Sequence, residues 1–431
     1  MSTFSLPQLN QPIFLTETQV QFHIDGNLTS APATITQHLW PRPGVVIRVS
    51  EVARNPQPIS ENSSDPAPKG ALPILSEGPT KVQLDNGVWI AVVPNSWIPF
   101  QEEAELRLQQ NPSTVLETGK PITRLQFDLL NITGDLFDRP LVLQTQSCIV
   151  QISPVPNFIE LENALRKDSG YAVTHRGIVQ CIEGESFSME DARILRWGLE
   201  HFLSFACGTQ CRATNIVGFD AEGNEAWKQW GSYHVNLWSK RLSWSDLTIR
   251  GALTGIFERF WMEYRKSKEH LDRILGWYVY SNETSAADLS IVLNQTVLEI
   301  LTSLMPSGEE GESRGTRIVK MLRNQGIDLQ IPDVCSKLKA LAAQHGFEHG
   351  PRTLAEIRNS MVHPNESVEM DSIDAYYEAK QLGLWYIDLL LLRMFEYEGE
   401  YVSRLGDAGL PGDTELVPWS NEVSPDGDDA R

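Results

Sequence analysis

The hydrophobic pattern is mainly strand-like in the first half of the chain and helical in the second, and this change constrains the fold more than any single motif. Up to about Gln180 the apolar residues come in short, β-branched runs bounded by turn residues: "GVVIRVSEV" (Gly44–Val52), "TKVQL", "GVWIAVV", "TRLQFDLL" and "LVLQTQSCIVQI". Asp85-Asn86-Gly87 sits between two such runs and predicts a hairpin. After Trp244 the strand signals stop and apolar residues recur at helical spacing, as in Leu289, Val292, Leu293, Val297, Ile300, Leu301 and Leu304. The expected fold class is therefore α+β, with a β-rich N-terminal domain over residues 1–240 and an all-α bundle over 245–400.

Local signals sharpen this outline. The N-terminal domain contains at least one helix, "SMEDARILRWGLEHFLSFACG", with Ser188 and Asp191 as a cap and Gly208 as its stop. Strands resume in "RATNIVGFD" and "EAWKQW". The stretch Arg54–Pro73 is rich in Pro, Ser and Asn and reads as a loop or linker. In the second half a long helical region breaks near Lys266. Further helices end at Gly326 and Gly346, and the apolar run Leu382–Phe395, which carries Asp388 and Arg393, reads as a buried helix too short to span a bilayer.

Charge and cysteine usage restrict the function classes. The formal net charge of −20 argues against a basic surface that coats nucleic acid, while leaving room for a local pocket that takes one strand. Part of that charge lies in the tail 406–431, where Asp407, Asp413, Glu415, Glu422, Asp426, Asp428 and Asp429 face a single Arg431; a solvated, disordered end is expected. The N-terminus lacks a basic start and an apolar run, and five scattered cysteines fit a reducing cytosol, so the expected location is cytoplasmic. Cys207 and Cys211 could join a zinc site with His201 or His234, but no second cysteine pair exists and idle thiols are the better reading. No Gly-rich phosphate loop, His-Glu-x-x-His or Gly-x-Ser-x-Gly occurs, so neither cofactor nor metal is expected. Trp227, Trp230, Trp238 and Trp244 could stack bases, though hydrophobic packing explains them better.

One segment combines the chemistry of an active site with the form of a helix end: "TLAEIRNSMVHPN", Thr353–Asn365. Thr353 followed by Glu356 is a capping-box pattern and predicts a helix from Leu354, with Leu354, Ile357 and Met361 facing the bundle. Pro364 disfavours helical geometry at His363, which places that histidine at the last turn. Asn359 and His363 are four apart, so the amide can orient the imidazole. Arg358 and His363 are five apart, about 140° around a straight helix, so Arg358 reaches the same site from the flank. An imidazole that titrates near neutrality beside a permanent guanidinium suits phosphodiester chemistry. The spacing alone is weak evidence: it recurs at Arg196–His201 and Arg265–His270, which read as ordinary helix surface. His345 and His349 lie in the preceding loop and read as solvent-exposed. A capped helix ending in His363 needs no active site, so on pattern alone both readings stand.

"EIRNSMVHP" resembles the signature of the HEPN superfamily, in which an arginine, a polar residue and a histidine follow one another in one helix of a small α-bundle. The neighbouring helices "NQTVLEILTSL" and Leu382–Phe395 resemble the packing helices of that bundle. The front half, through "THRGIVQ", "LRWGLEHFLSFACG" and "VGFDAEGNEAWKQW", is similar to the β-rich region of ApeA-type bacterial defence proteins. The resemblance implies metal-independent endoribonuclease activity, in which the RNA 2′-hydroxyl attacks the adjacent phosphate. It implies His363 as general base or acid, Arg358 as phosphate contact and Asn359 as positioning residue. It also implies a homodimer through the helical domain, with two motifs lining one cleft, and a role in anti-phage defence with an unknown trigger at the N-terminal domain. Two alternatives remain: a non-catalytic dimerisation or nucleotide-binding module, and a regulatory protein whose ligand enters the β-rich domain.

Overall fold

Alternation of covered and open side chains builds the first sheet. In Asn27–His38, Ala31, Ala33, Ile35 and Gln37 are buried while Pro32, Thr34 and Thr36 between them are only half-buried, the period of a strand with one covered face. The computed structural model describes residues 8–24, 27–39, 44–50, 80–98, 103–109, 112–133, 140–232, 235–246, 249, 251–305, 311–363, 373–405 and 414–420. The linker expected at Arg54–Pro73 lies outside them. Six strands, β1 (Ile13–Ile24), β2 (Asn27–His38), β3 (Gly44–Val49), β4 (Thr80–Gln83), β5 (Trp89–Ile98) and β6 (Glu103–Leu108), close into a barrel in the order β1-β2-β3-β6-β5-β4. Closure pairs the strand edges, and Val20, Phe22, Ile35, Ile47, Val92 and Leu106 belong to one apolar core. The expected hairpin joins β4 to β5: Leu84 N donates to Val88 O at 2.9 Å, and Gly87 supplies the positive φ of +83°.

The chain divides into two compact units: Met1–Asn131 with Ile152–Arg193 and Arg212–Trp238, and Ile132–Gln151 with Ile194–Cys211 and Ser239–Arg431. This division differs from a single cut near residue 240, because two earlier segments group with the helices. In the first unit β7 (Ser113–Glu117), β8 (Arg124–Leu130), β11 (Val173–Cys181), β12 (Arg212–Phe219) and β13 (Glu225–Trp230) form antiparallel neighbours in the order β7-β13-β12-β8-β11. Helix α1 (Phe158–Asp168), which the hydrophobic pattern did not reveal, packs Phe158, Leu161 and Leu165 into a cluster with Leu130, Val173 and Trp238. The run "LVLQTQSCIVQI" forms two strands, β9 (Leu141–Gln144) and β10 (Cys148–Pro154), because the Thr145 hydroxyl accepts from the backbone N–H of Ser147 and Cys148 and turns the chain.

Helix α2 (Met189–Cys207) begins and ends as expected. Ser188 Oγ accepts from Asp191 N at 3.0 Å, and Gly208 continues at φ +68°, where a Cβ would lie 2.7 Å from Leu242 O. Its second half packs with α3 (Gly251–Lys266), α4 (Lys268–Glu283), α5 (Ala287–Leu304), α6 (Arg314–Asn324), α7 (Ser336–His345), α8 (Gly350–Val362) and α9 (Ile373–Met394). The break expected near Lys266 falls at Ser267, and Gly326 and Gly346 follow α6 and α7 at positive φ. Phe202, Phe205, Phe257, Phe260, Tyr278 and Phe395 interlock with centroids 5.0–6.3 Å apart. Among the described residues no helix is long and apolar enough to cross a membrane.

One expectation about this unit is corrected, and α5 turns polar residues inward. The tail does not run free from residue 406. β15 (Thr414–Leu416) pairs with β14 (Glu400–Val402), Val417 is buried and Trp419 Nε1 donates to Tyr397 O at 2.6 Å. Two apolar anchors thus hold residues 414–420, while 406–413 and 421–431 lie outside the described residues. On α5, the buried face carries Ser290, Asn294 and Gln295 beside Ile291, Val297, Leu298 and Leu301. Leu289 is exposed and Val292, Leu293, Ile300 and Leu304 are half-buried. The polar residues can turn inward because they are satisfied there: Ser281 Oγ lies 2.6 Å from Ser290 Oγ, and Asn294 Nδ2 donates to Lys380 O at 3.1 Å.

Candidate active site

Helix α8 starts a turn earlier than the capping-box pattern predicts. His349 is its N-cap, its Nδ1 accepting from Arg352 N at 3.1 Å. Pro351 stands in the first turn, where its fixed φ suits the helix and a missing N–H costs nothing. Thr353 therefore lies inside the helix, its hydroxyl donating to His349 O at 3.0 Å, and Glu356 pairs with Arg352 at 2.6 Å instead of closing a cap. Leu354 and Ile357 are buried and Met361 half-buried, as the spacing predicts. His349, expected as an exposed loop residue, is half-buried and caps the helix; His345 ends α7 and stacks on Phe347 at 5.5 Å.

At the other end, His363 is the C-cap. Its N donates to Asn359 O at 2.9 Å while its own φ of −119° and ψ of 109° are extended, the geometry that a following proline imposes. The imidazole is exposed. Arg358 is half-buried and its Nη1 donates to Asn359 Oδ1 at 3.2 Å. The amide oxygen expected to orient His363 is thus used by Arg358. Among the described residues no carboxylate pairs with Arg358, and its Nε is enclosed without a hydrogen-bond partner. The helix end therefore presents a guanidinium not neutralised by a described acid, an amide fixed beside it, and an exposed imidazole one turn on. Such a set can grip a phosphate and move a proton.

The two look-alike pairs behave differently from one another. Arg265 and His270 are exposed on either side of the break at Ser267, in line with the surface reading. Arg196 and His201 are buried, which overturns it. Arg196 Nη1 lies 2.6 Å from Glu200 Oε1, and His201 Nε2 lies 3.3 Å from Asp272 Oδ1. Asp272 also accepts from Tyr264 OH at 2.5 Å and from Lys268 Nζ at 2.6 Å. Burial, then the neighbouring Asp272, holds the Tyr264 phenol protonated far above its usual range, so it donates. The Arg196–Glu200 spacing of four was a readable ion-pair signal; its burial was not.

Cys207 and Cys211 are both buried thiols, and His234 lies outside the described residues. Trp227, Trp230, Trp238 and Trp244 are buried and serve packing. Among the described residues no group of three or more His, Cys, Asp or Glu could hold a metal ion. A cleft of about 250 Å³ on the first unit is lined by residues including Glu117, Lys120 and Trp227.

Known proteins bear on both units. Residues 118–241 match a family model described as the YopA central domain, and residues 264–412 one described as the YopA C-terminal domain. Helix α8 falls in the second match. The SPbeta prophage-derived uncharacterized protein YopA of Bacillus subtilis (strain 168) is 26% identical over 276 residues, covering 59% of this chain and 60% of that protein. The chain thus spans about 60% of the length of that relative. No solved structure matches.

Proposed function

We propose that the chain is a metal-independent endoribonuclease of the HEPN type, with its site at the C-terminal end of α8. The observation that carries this reading is the pairing, on one helix end, of an Arg358 guanidinium not neutralised by a described carboxylate with an exposed His363 imidazole. In this mechanism the RNA 2′-hydroxyl attacks the adjacent phosphorus and the bond to the 5′-oxygen breaks, giving a 2′,3′-cyclic phosphate and a 5′-hydroxyl end. His363 takes the attacking proton or returns one to the leaving oxygen. Arg358 holds the non-bridging oxygens and stabilises the charge that builds on them. Asn359 fixes the guanidinium through its Oδ1.

A single imidazole performs one proton transfer at a time, so a second copy of the chain would supply the other. Leu289, exposed on α5, and the half-buried Val292 beside it support docking of that copy. The β-rich unit is the place for a trigger. The prophage origin in the Bacillus relative's description favours a role in the contest between phage and bacterial host. A ligand-controlled protein is the second reading, favoured by the cleft beside Lys120 and Trp227; a small molecule that raises the melting temperature of the chain without any RNA cleavage would establish it.

The test incubates the full chain with RNA and EDTA beside Arg358→Ala, His363→Ala and the exposed control His270→Ala. Wild type and control should cut, and both motif variants should lose about 10²–10⁴ in rate. Equal cutting by all four rejects the site.

A further inference from the structure

A second cleft, of about 490 Å³, opens in the helical unit between the turn after β9 and the last two turns of α3. Trp261 and Arg265 stand one turn apart on its wall, and Met262 and Lys266 repeat that spacing beside them. An aromatic and apolar step is thus followed by a cationic step, about 5.4 Å along the helix. Met262 is exposed, and so is the amide of Gln146 across the cleft.

The platform is held in place from behind. Gly198 of α2 has no Cβ, and one placed there would lie 2.7 Å from Trp261 Cζ3, so the indole rests directly on the helix backbone. Tyr264 stacks on Trp261 with centroids 6.1 Å apart and planes 20° off parallel. Tyr264 is in turn anchored to Asp272, which also takes Lys268 and lies beside His201. The half-buried Asp272 and Lys268 at this junction therefore neutralise one another and brace the α3–α4 break. The charges that face the cleft are not so consumed. Arg265 has no carboxylate partner among the described residues, and Lys266 is largely exposed and only loosely paired with Glu263 at 3.4 Å. Glu258 is the one acid in the cleft's lining, and Glu263 reaches Lys266 from outside it.

We infer that this cleft is a subsite for single-stranded RNA, in which one base stacks on Trp261 and the adjoining phosphate sits between Arg265 and Lys266. A fixed ring surrenders little freedom on stacking, and every base offers it a face. The strand must be single because a duplex keeps its bases stacked on one another. The identity of the ligand rests on the ribonuclease reading; the cleft does not use the α8 residues.

The test measures fluorescence anisotropy of a labelled oligouridylate with the full-length His363→Ala chain, which leaves the probe uncut, and with that chain carrying Trp261→Ala, Trp261→Phe or Arg265→Ala/Lys266→Ala. Trp261→Ala should weaken binding at least about fivefold and Trp261→Phe should restore most of it. The double cation variant should lower the slope of log affinity against log salt by about 0.7 for each phosphate it no longer neutralises. Both exposed cations can change without disturbing the core, so unchanged affinity and slope there would overturn the subsite, as would absence of oligouridylate binding. Equal loss with a duplex probe would overturn the stacking. Intact binding effects with no cleavage by wild-type protein would reject the ribonuclease reading and leave the subsite standing.

Discussion

Histidine opens α8 and histidine closes it, His349 as the N-cap and His363 as the C-cap. His349 Nδ1 accepts a backbone hydrogen bond, which only the neutral ring can do. Burial is the main cause that lowers its pKa below the ordinary 6.5, against the opposing charge of Glu348. A group whose folded pKa is depressed contributes stability above 6.5 and loses it as pH falls through the folded value. Acid titration of stability should therefore show a loss beginning below pH 6.5 that His349→Asn abolishes while keeping the cap. A slope unchanged in that variant would mean that other groups carry the loss. The residue types of the site were legible: Arg358, Asn359 and His363 stand where a helix end puts them. Their partners were not, since Arg358 rather than His363 takes the Asn359 amide, a choice made by side-chain geometry that spacing does not encode.

At the scale of elements, a glycine inside α2 shows packing overriding propensity. Glycine in a helix interior is about 1 kcal/mol worse than alanine, so Gly198→Ala should stabilise an isolated helix. In the folded chain the new methyl would meet Trp261 and Tyr264, at 2.7 and 3.1 Å. The substitution should instead cost about 1–3 kcal/mol in urea unfolding, and shift tryptophan fluorescence as the indole moves. A more stable variant would show that the ring yields freely. The same priority governs α5. Part of its apolar stripe, Val297 and Leu301, is buried, and the same inward face carries Ser290 and Asn294, which find partners on α4 and α9. Periodicity ranks faces by apolar content; it has no means of seeing that a polar face can be fully satisfied elsewhere in the fold.

Across the helical unit, one buried polar network ties distant parts of the chain together. Arg404, beyond α9, donates to Asp388 through Nε, to Asn282 at 2.8 Å and to the Tyr278 hydroxyl at 2.7 Å; Asn282 in turn donates to Gly208 O and Leu242 O. Removing one member of a buried ion pair leaves the other charge without compensation, at about 3–5 kcal/mol. Asp388→Ala should lose that much stability, and Asp388→Ala/Arg404→Met should recover part of it. Losses that simply add would show the two residues to be uncoupled. The pair was invisible in sequence, where Asp388 marked only a flaw in an apolar run.

What the sequence determined by itself is whatever depends on near neighbours. The switch from period two to period 3.6, the Asp85-Asn86-Gly87 turn, the Ser188 cap and the glycine stops after α2, α6 and α7 are all local, and each stands in the fold. The tertiary structure alone decided which of three Arg–His pairs was buried, that the 132–151 and 194–211 segments group with the helices, and that residues 414–420 pair with β14 and anchor Trp419 on Tyr397. Those outcomes turn on burial and on partners far apart in the chain. Desolvation is a property of the assembled surroundings, so no reading of spacing along one segment can supply it.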